Sequence, residues 1–418
     1  MTERYLLRPI ATEEFDQYCN VPVQAFNETD QLADVVAHER MVFEFDRSIA
    51  AFDGDAIVGT AAAYTFQLTV PGGVVGAAGV TFVSVMPDHR RRGILSAMMR
   101  HQLTDIAARG EPVAALYASE SVIYGRYGYG CASHQLNLTI RRGEGTLKQA
   151  AAGRGDGSLQ LRAVQPEDQR SELGQVYDSV LLHRPGMLAR DDRWWQAILS
   201  DPEFVRRGRS QQKCVLACDD SGPRGYALYR TKQDWDDDGL PYGGLSGREF
   251  VATDGATAAA LWADLFTRDL IGEVTAGQRP VDDPLLDMLA DRRRARAYLS
   301  DGLWIRLIDV PAALASRRYS CPADVVIEVT DDLLPANAGR WRLQCPGADD
   351  AAAATCERTT AAADIQLPVA ALGAGYLGGV RLGSLATAGL ITEHTKGALA
   401  ALSAAMYSDP APWCPSKF

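Results

Sequence analysis

The densest chemistry in this sequence lies in VSVMPDHRRRGIL, Val83 to Leu95. A β-branched run ends at Pro87, which cannot donate to a central ladder. Arg90, Arg91, Arg92 and Gly93 follow, and then a helical pattern begins. A helix N-terminus offers unpaired N–H groups and the positive end of a dipole, which together bind phosphate. The three guanidiniums add neutralising charge, and Gly93 removes the side chain where backbone must approach the ligand. Neither GxxxxGK[ST] nor GxGxxG is present, so the turn is not a P-loop or a dinucleotide fingerprint. A second constellation is SVIYGRYGYG, with Tyr124, Tyr127 and Tyr129. Without further context, Tyr124 reads as a core aromatic. The third is the terminus DPAPWCPSKF, where three prolines fix φ and the chain stops on Phe418. Mobile tails are seldom built this way, and these residues read as a strap over a hydrophobic surface.

The elements around the basic turn form a mixed α+β unit. Ser48 to Val70 reads as a hairpin turning at DGD, Ala78 to Pro87 as a strand, and Ile94 to Gly110 as a helix closed by glycine. Leu95, Met98, Gln102 and Ile106 fall at helical spacing, which makes the methionines core residues. After a small-residue linker, Ala150 to Ser158, the pattern partly repeats. LRAVQPEDQRSE from Leu161 echoes LRPIATEEFDQY from Leu7, and Arg248 to Phe266 reproduces strand, turn and helix without the turn's arginines. Duplication is the natural reading, with anion binding kept only by the first copy. A third texture opens at DGLWIRLIDVPAAL. The expected units are therefore 1–148, 159–300 and 301–418.

At 418 residues, two to three domains are expected. A net charge of −11 argues against a nucleic-acid binder and suits a cationic small partner. No apolar run is long enough for a membrane span, and MTERYLLRPI starts charged. A soluble, cytoplasmic protein with no membrane partner is the expectation. The eight cysteines are scattered; only Cys214 and Cys218 lie close, with no His nearby, so no metal site is expected.

The strand followed by R-R-x-G and a helix resembles the acyl-CoA pyrophosphate loop of the GNAT acetyltransferases. The resemblance narrows with TFVSVMPDHRRRG, PVAALYASESVIYGRYGYG, the arginine-less second copy and DGLWIRLIDVPAAL. Together these resemble the enhanced intracellular survival (Eis) family over nearly the whole chain. That resemblance implies tandem GNAT folds, the second degenerate, and then a sterol-carrier-like region. It implies acetyl-CoA-dependent N-acetylation of aminoglycoside-like cationic amines, at several positions, by a homohexamer. Phe82, Val83, Ser84, Val85, Ser119 and Glu120 would lie along the cofactor arm. Arg90, Arg91, Arg92, Gly93, Ile94, Leu95 and Ser96 would surround the pyrophosphate. Tyr124 would be the proton donor to the leaving thiolate, and the carboxylate of Phe418 the proton acceptor. Glu28, Phe82 and Trp195 would contact the substrate. A protein or peptide lysine is the alternative acceptor, and a non-enzymatic lipid or partner binder the third reading. Lys417 departs from the family, whose members can carry an acidic residue there; a cation at that point disfavours polycationic amines.

Overall fold

The computed structural model describes residues 5–27, 32–149, 159–347 and 352–418; the expected linker lies outside them. The first sheet gathers β1 (Leu6–Arg8), β2 (Ser48–Asp53), β3 (Ala56–Val70), β4 (Gly73–Val85) and β5 (Val113–Tyr117) in that order. Helices α1 (Phe15–Phe26), α2 (Leu32–Glu39), α3 (Ile94–Ala108) and α4 (Ser121–Tyr124) belong to the same unit. β2 and β3 form the DGD hairpin. The helical spacing of α3 puts Met98, Gln102 and Ile106 in the core. There the Gln102 amide nitrogen donates to the Ala62 carbonyl at 2.8 Å, while its Oε1 has no partner among the described residues.

A second seven-stranded sheet contains β8 (Gln160–Val164), β9 (Lys213–Asp219), β10 (Gly222–Lys232), β11 (Gly243–Ala252) and β12 (Ile271–Pro280). The third contains β15 (Ala323–Thr330), β16 (Gly339–Cys345), β17 (Thr355–Arg358), β18 (Ile365–Pro368) and β19 (Thr392–Glu393). The fold is thus mixed α/β in three sheets.

The sheets do not follow the segments 1–148, 159–300 and 301–418 strand for strand. β6 (Gly130–Cys131) stays in the first sheet, but β7 (His134–Arg141) joins the second, between β12 and β13 (Tyr298–Asp301). In return β14 (Leu303–Leu307), the strand of DGLWIRL, completes the first sheet between β5 and β6. The two chain segments cross at Ser133 and Gly302. There Gly302 N donates to the Ser133 carbonyl at 2.9 Å, and Leu303 N donates to Ser133 Oγ at 2.9 Å. Non-local pairing of this kind leaves no trace in local periodicity.

The third unit docks through glycine. The helix Val369–Gly375 lies on β14 and β6 so closely that a Cβ on Gly130 would stand 2.0 Å from the Ala370 carbonyl oxygen. Backbone, unlike a flexible side chain, cannot move aside. Gly130→Ala is therefore expected to cost at least the ~1–3 kcal/mol of core overpacking. A thermal unfolding midpoint unchanged from wild type would contradict this.

Candidate active site

The site begins where two parallel strands part. β4 and β5 pair only from Ala77–Val113 to Gly79–Ala115, after which β4 runs on without β5. A strand edge facing an open cleft keeps its N–H and C=O groups available to an extended ligand. Beyond the split a β-bulge interrupts β4, with Thr60 opposite Ser84 but Ala62 opposite Thr81. Phe82 takes φ 54° there, a left-handed conformation costing a non-glycine residue on the order of 1–3 kcal/mol. Thr60 Oγ1 donates to the Phe82 carbonyl at 2.7 Å and shares a 2.6 Å bond with Ser84 Oγ, which holds the bulge. The Phe82 ring packs on Tyr18 and Phe43, with centroids 5.6 and 5.5 Å away.

The basic turn follows. Arg91 and Gly93 have φ of 62° and 85°, and α3 starts at Ile94. Left-handed residues before a helix turn successive N–H groups inward, making an anion-binding nest. Two of its arginines brace the turn: Arg90 Nη2 donates to the Ala25 carbonyl at 3.0 Å and Arg92 Nη2 to that of Asp88 at 2.7 Å. Arg91 is exposed and makes no hydrogen bond to another described residue. His89 Nε2 stands 3.3 Å from Asp53 Oδ2, so its ring is engaged within the turn.

A cleft of about 340 Å³ connects these features. Val83, Ser84, Val85, Arg90, Arg91, Gly93, Ile94, Leu95, Ser96, Ser119, Glu120 and Tyr124 all line it. Phe82 and Arg92, expected beside them, do not. Tyr127 of the tyrosine constellation lines it as well, with Ala25, Phe26 and Ile123, which carried no sequence signal of their own.

Tyr124 ends α4 and is 4% exposed. Burial raises its hydroxyl above the ordinary tyrosine pKa of 10, although a hydrogen bond with Ser119 opposes the shift. It therefore holds its proton across the neutral range. Tyr127 places its hydroxyl 3.1 Å from Ser96 Oγ in the first turn of α3. Arg306 of β14, fully buried, donates to the Tyr127 carbonyl at 2.9 Å and makes a bidentate pair with Asp331 at 2.8 and 2.7 Å. The tyrosine turn is thus fixed by a strand exchanged into the sheet and by a carboxylate of the third unit.

The tail is a strap tied at every step. Ala411 N donates to Asp282 at 3.0 Å, and Trp413 N to the Pro185 carbonyl at 2.8 Å. The Cys414 carbonyl accepts from the Tyr117 hydroxyl at 2.9 Å, and Ser416 Oγ accepts from Arg190 Nη2 at 2.7 Å. The chain ends with the Phe418 ring against Phe66 and Tyr117, at 5.0 and 5.7 Å between centroids. Its Cε2 lies 3.1 Å from where a Cβ on Gly79 would stand. Gly79 is the last residue of β4 paired to β5, so the terminus reaches the mouth of the split.

Trp195 does not form the wall expected of it. It is buried in the second unit against Tyr177, at 5.7 Å, behind the Arg190 guanidinium at 4.9 Å. Its neighbour Trp194 faces Tyr64 and Phe66, each at 5.0 Å, and so reaches the ring that Phe418 touches. Helical geometry turns adjacent residues about 100° apart, so the two tryptophans of the pair face different clusters. Glu28 lies outside the described residues. A larger cavity, about 1090 Å³, adjoins Pro415, Ser416 and Lys417. The arginines of RRGRSQQK, Arg206 to Arg209, line it; the run of charge was visible in the sequence but not its destination.

The geometry can be set against known proteins. GNAT acetyltransferase domain families match residues 7–132 and 186–307, and a sterol carrier protein domain family matches 310–415. An N-acetyltransferase of Streptomyces avermitilis is 42% identical, covering 99% of both chains. The N-acetyltransferase Eis of Mycobacterium tuberculosis is 37% identical, covering 85% of this chain and 84% of its own. The crystal structure of Eis1 from Mycobacterium abscessus superposes with a TM-score of 0.81 at 33% identity, covering 99% and 100%. The chain belongs to the Eis family of GNAT N-acetyltransferases. It is an acetyltransferase, with tandem GNAT units and a sterol-carrier-like third unit. A GNAT domain implies acetyl-CoA as co-substrate, and the cleft fits that group. The open β4 edge suits an amide-bearing arm, the nest suits a pyrophosphate, and buried Tyr124 suits a thiolate.

Within this Eis-family chain the strap hangs on one buried ion pair. Arg190 donates to Glu249 at 2.9 and 2.5 Å, both side chains being nearly inaccessible. Burial alone would raise the Glu249 pKa, but the Arg190 charge outweighs it and holds the carboxyl below its ordinary range. Glu249→Gln leaves Arg190 buried without a carboxylate, a change that costs ~3–5 kcal/mol. A pKa depressed in the folded state contributes stability above the unfolded value, about 4.3, and loses it as pH falls through the folded value. Unfolding midpoints of wild type and Glu249→Gln should therefore differ at pH 7 and converge on acidification below pH 4. A constant difference down to pH 2 would exclude the pair as the source.

Proposed function

We propose that the protein transfers an acetyl group directly from acetyl-CoA to an amine, with Tyr124 as proton donor and the Phe418 carboxylate as proton acceptor. The observation that carries the reading is the meeting of strap and strand split. The Phe418 ring sits at Gly79, where β4 leaves β5, while Tyr124 is buried in the same apolar cluster as Val80. The amine lone pair attacks the thioester carbonyl carbon, the C–S bond breaks, and sulfur takes the Tyr124 proton. The amine's proton passes toward the Phe418 carboxylate, whose pKa near 3.3–3.7 makes it a weak acceptor. It acts as positive charge develops on nitrogen, and orients the amine meanwhile.

The exposed nest at Arg91 and Gly93 holds the pyrophosphate, and Val83 to Val85 offer backbone to the pantetheine arm. The resemblance adds an aminoglycoside-like acceptor acetylated at several positions, a homohexamer, and action in the cytoplasm. All eight cysteines are free thiols, which suits a reducing compartment. Exposed Trp235, Leu240 and Tyr242 at the β10–β11 connection give an assembly apolar surface to cover. The cavity beside the tail, however, is rich in arginine, which disfavours a polycation.

Thiol release from acetyl-CoA with a panel of amines tests the roles. Tyr124→Phe is expected to lower kcat by about 100- to 10,000-fold, the usual scale of general acid catalysis, with acetyl-CoA affinity kept. Deleting Phe418 should lower kcat comparably. Full activity in the deletion would remove the carboxylate from the mechanism. Because the Tyr124 pKa is raised, its proton is lost only above pH 10, so kcat should not decline between pH 8 and 9.5.

A further inference from the structure

The cavity of about 1090 Å³ beside the tail has a charge pattern that the whole-chain value of −11 conceals. Six arginines and Lys417 line it, against two carboxylates, Glu39 and Glu249. Those carboxylates are engaged: Glu249 with Arg190 and, at 2.5 Å, the Tyr226 hydroxyl, and Glu39 with the Tyr64 hydroxyl at 3.4 Å. Arg206 and Arg230 share Asp201, at 3.1 and 2.6 Å. Among the described residues Arg207, Arg209, Arg248 and Lys417 form no ion pair.

These four are distributed from rim to floor. Arg207 and Arg209 are exposed, on the turn after the helix Glu203–Arg206, where Arg207 adopts φ 50°. Arg248 is deeper, on β11, and donates only to the neutral Gln212 Oε1 at 2.7 Å. Burial and the neighbouring Arg230 push its guanidinium down to about 10. The Glu249 and Asp201 carboxylates oppose this shift without cancelling it, and a bound anion would offset it further. Lys417 keeps solvent contact, yet the desolvation it does undergo and nearby Arg207 lower its ammonium pKa.

The cavity adjoins the tail that ends at Phe418. Ser416 and Lys417 line it, and Phe418 follows immediately, so its edge is within about 3.5 Å of chain, one residue, from the terminal residue. Asn27 lines the cavity while Phe26, its neighbour, lines the acetyl-CoA cleft.

We propose that this cavity selects the acceptor, and that the acceptor is a small primary amine carrying its own carboxylate or phosphate, held by Arg207, Arg209, Arg248 and Lys417 with the amine toward Phe418. The inference rests on the acetyl-transfer reading and deepens it. A cationic cavity with low-dielectric walls concentrates anions and repels polycations. It also lowers the pKa of a substrate ammonium, which keeps more of the amine neutral and nucleophilic.

Matched amines separate the cases: 6-aminohexanoate against 1,6-diaminohexane, glucosamine 6-phosphate against glucosamine, and kanamycin as polycation. At low salt the anionic member of each pair is expected to have at least a tenfold higher kcat/KM. The preference should shrink by 0.5 M salt, where screening lengths fall well below the ~8 Å of 0.15 M. The exposed pair R207E/R209E should raise KM for the anionic amine at least tenfold and leave acetyl-CoA binding, read by calorimetry, unchanged. Equal or better turnover of kanamycin and the diamine, or unaltered selectivity in R207E/R209E, overturns the anionic acceptor but leaves acetyl transfer standing. No thiol release with any amine, despite acetyl-CoA binding, overturns both.

Discussion

The pair between Arg190 and Glu249 is the interaction on which the rest of the site depends. Two charges are removed from water, and the cost is met only because each is surrounded by further partners. Arg190 stacks on Tyr177 at 3.8 Å and on Trp195 at 4.9 Å, while Glu249 accepts from Tyr226. Ser416 then takes the remaining Arg190 donors, at 3.2 and 2.7 Å, which anchors the strap two residues before its end. One buried guanidinium therefore closes the second unit's core, floors the large cavity and sets the reach of Phe418. Such a pair contributes little net stability over apolar packing, but breaking half of it is costly, so it fixes geometry rather than adding strength.

Around that anchor, the three units act as one through exchanged parts. β14 enters the first sheet, Arg306 carries it to Asp331 in the third unit and to the carbonyl of Tyr127. Asn337 adds bonds to Asp331 at 3.0 Å and to the Ile308 carbonyl at 3.0 Å. The sterol-carrier-like unit consequently serves as a brace for the tyrosine turn and the starting point of the strap. The strained elements are Phe82 in the β4 bulge and Arg91 in the basic turn. Left-handed backbone outside glycine persists only where surrounding bonds over-determine it.

Much of the site was legible because its parts are local. The strand, R-R-x-G turn and helix occupy one stretch, and their spacing alone implied anion binding. Met98, Gln102 and Ile106 fell inside because α3 keeps a 3.6-residue period. Phe82 lies on the strand, as its place in the sequence implies, and its ring packs on Tyr18 and Phe43. Trp194 and Trp195 could not be told apart, since the helix Asp192–Leu199 presents two faces to two different clusters. The strand exchange was invisible, because Ser133 and Gly302 are 169 positions apart and their pairing depends on the whole sheet.

The sequence by itself determined the chemistry's ingredients: a basic turn before a helix, three tyrosines after a strand, and a proline-stiffened end. These are properties of short windows, where backbone propensity and side-chain type act without distant help. Tertiary structure alone decided the sign of the field in the cavity beside the tail. Charge is summed over the chain in a sequence but over a few ångströms in a cavity, because Coulomb energy falls with distance and screening. Arg207, Arg209, Arg248 and Lys417 come from three separate regions of an acidic chain. Folding gathered them beside Phe418 and made the cavity basic.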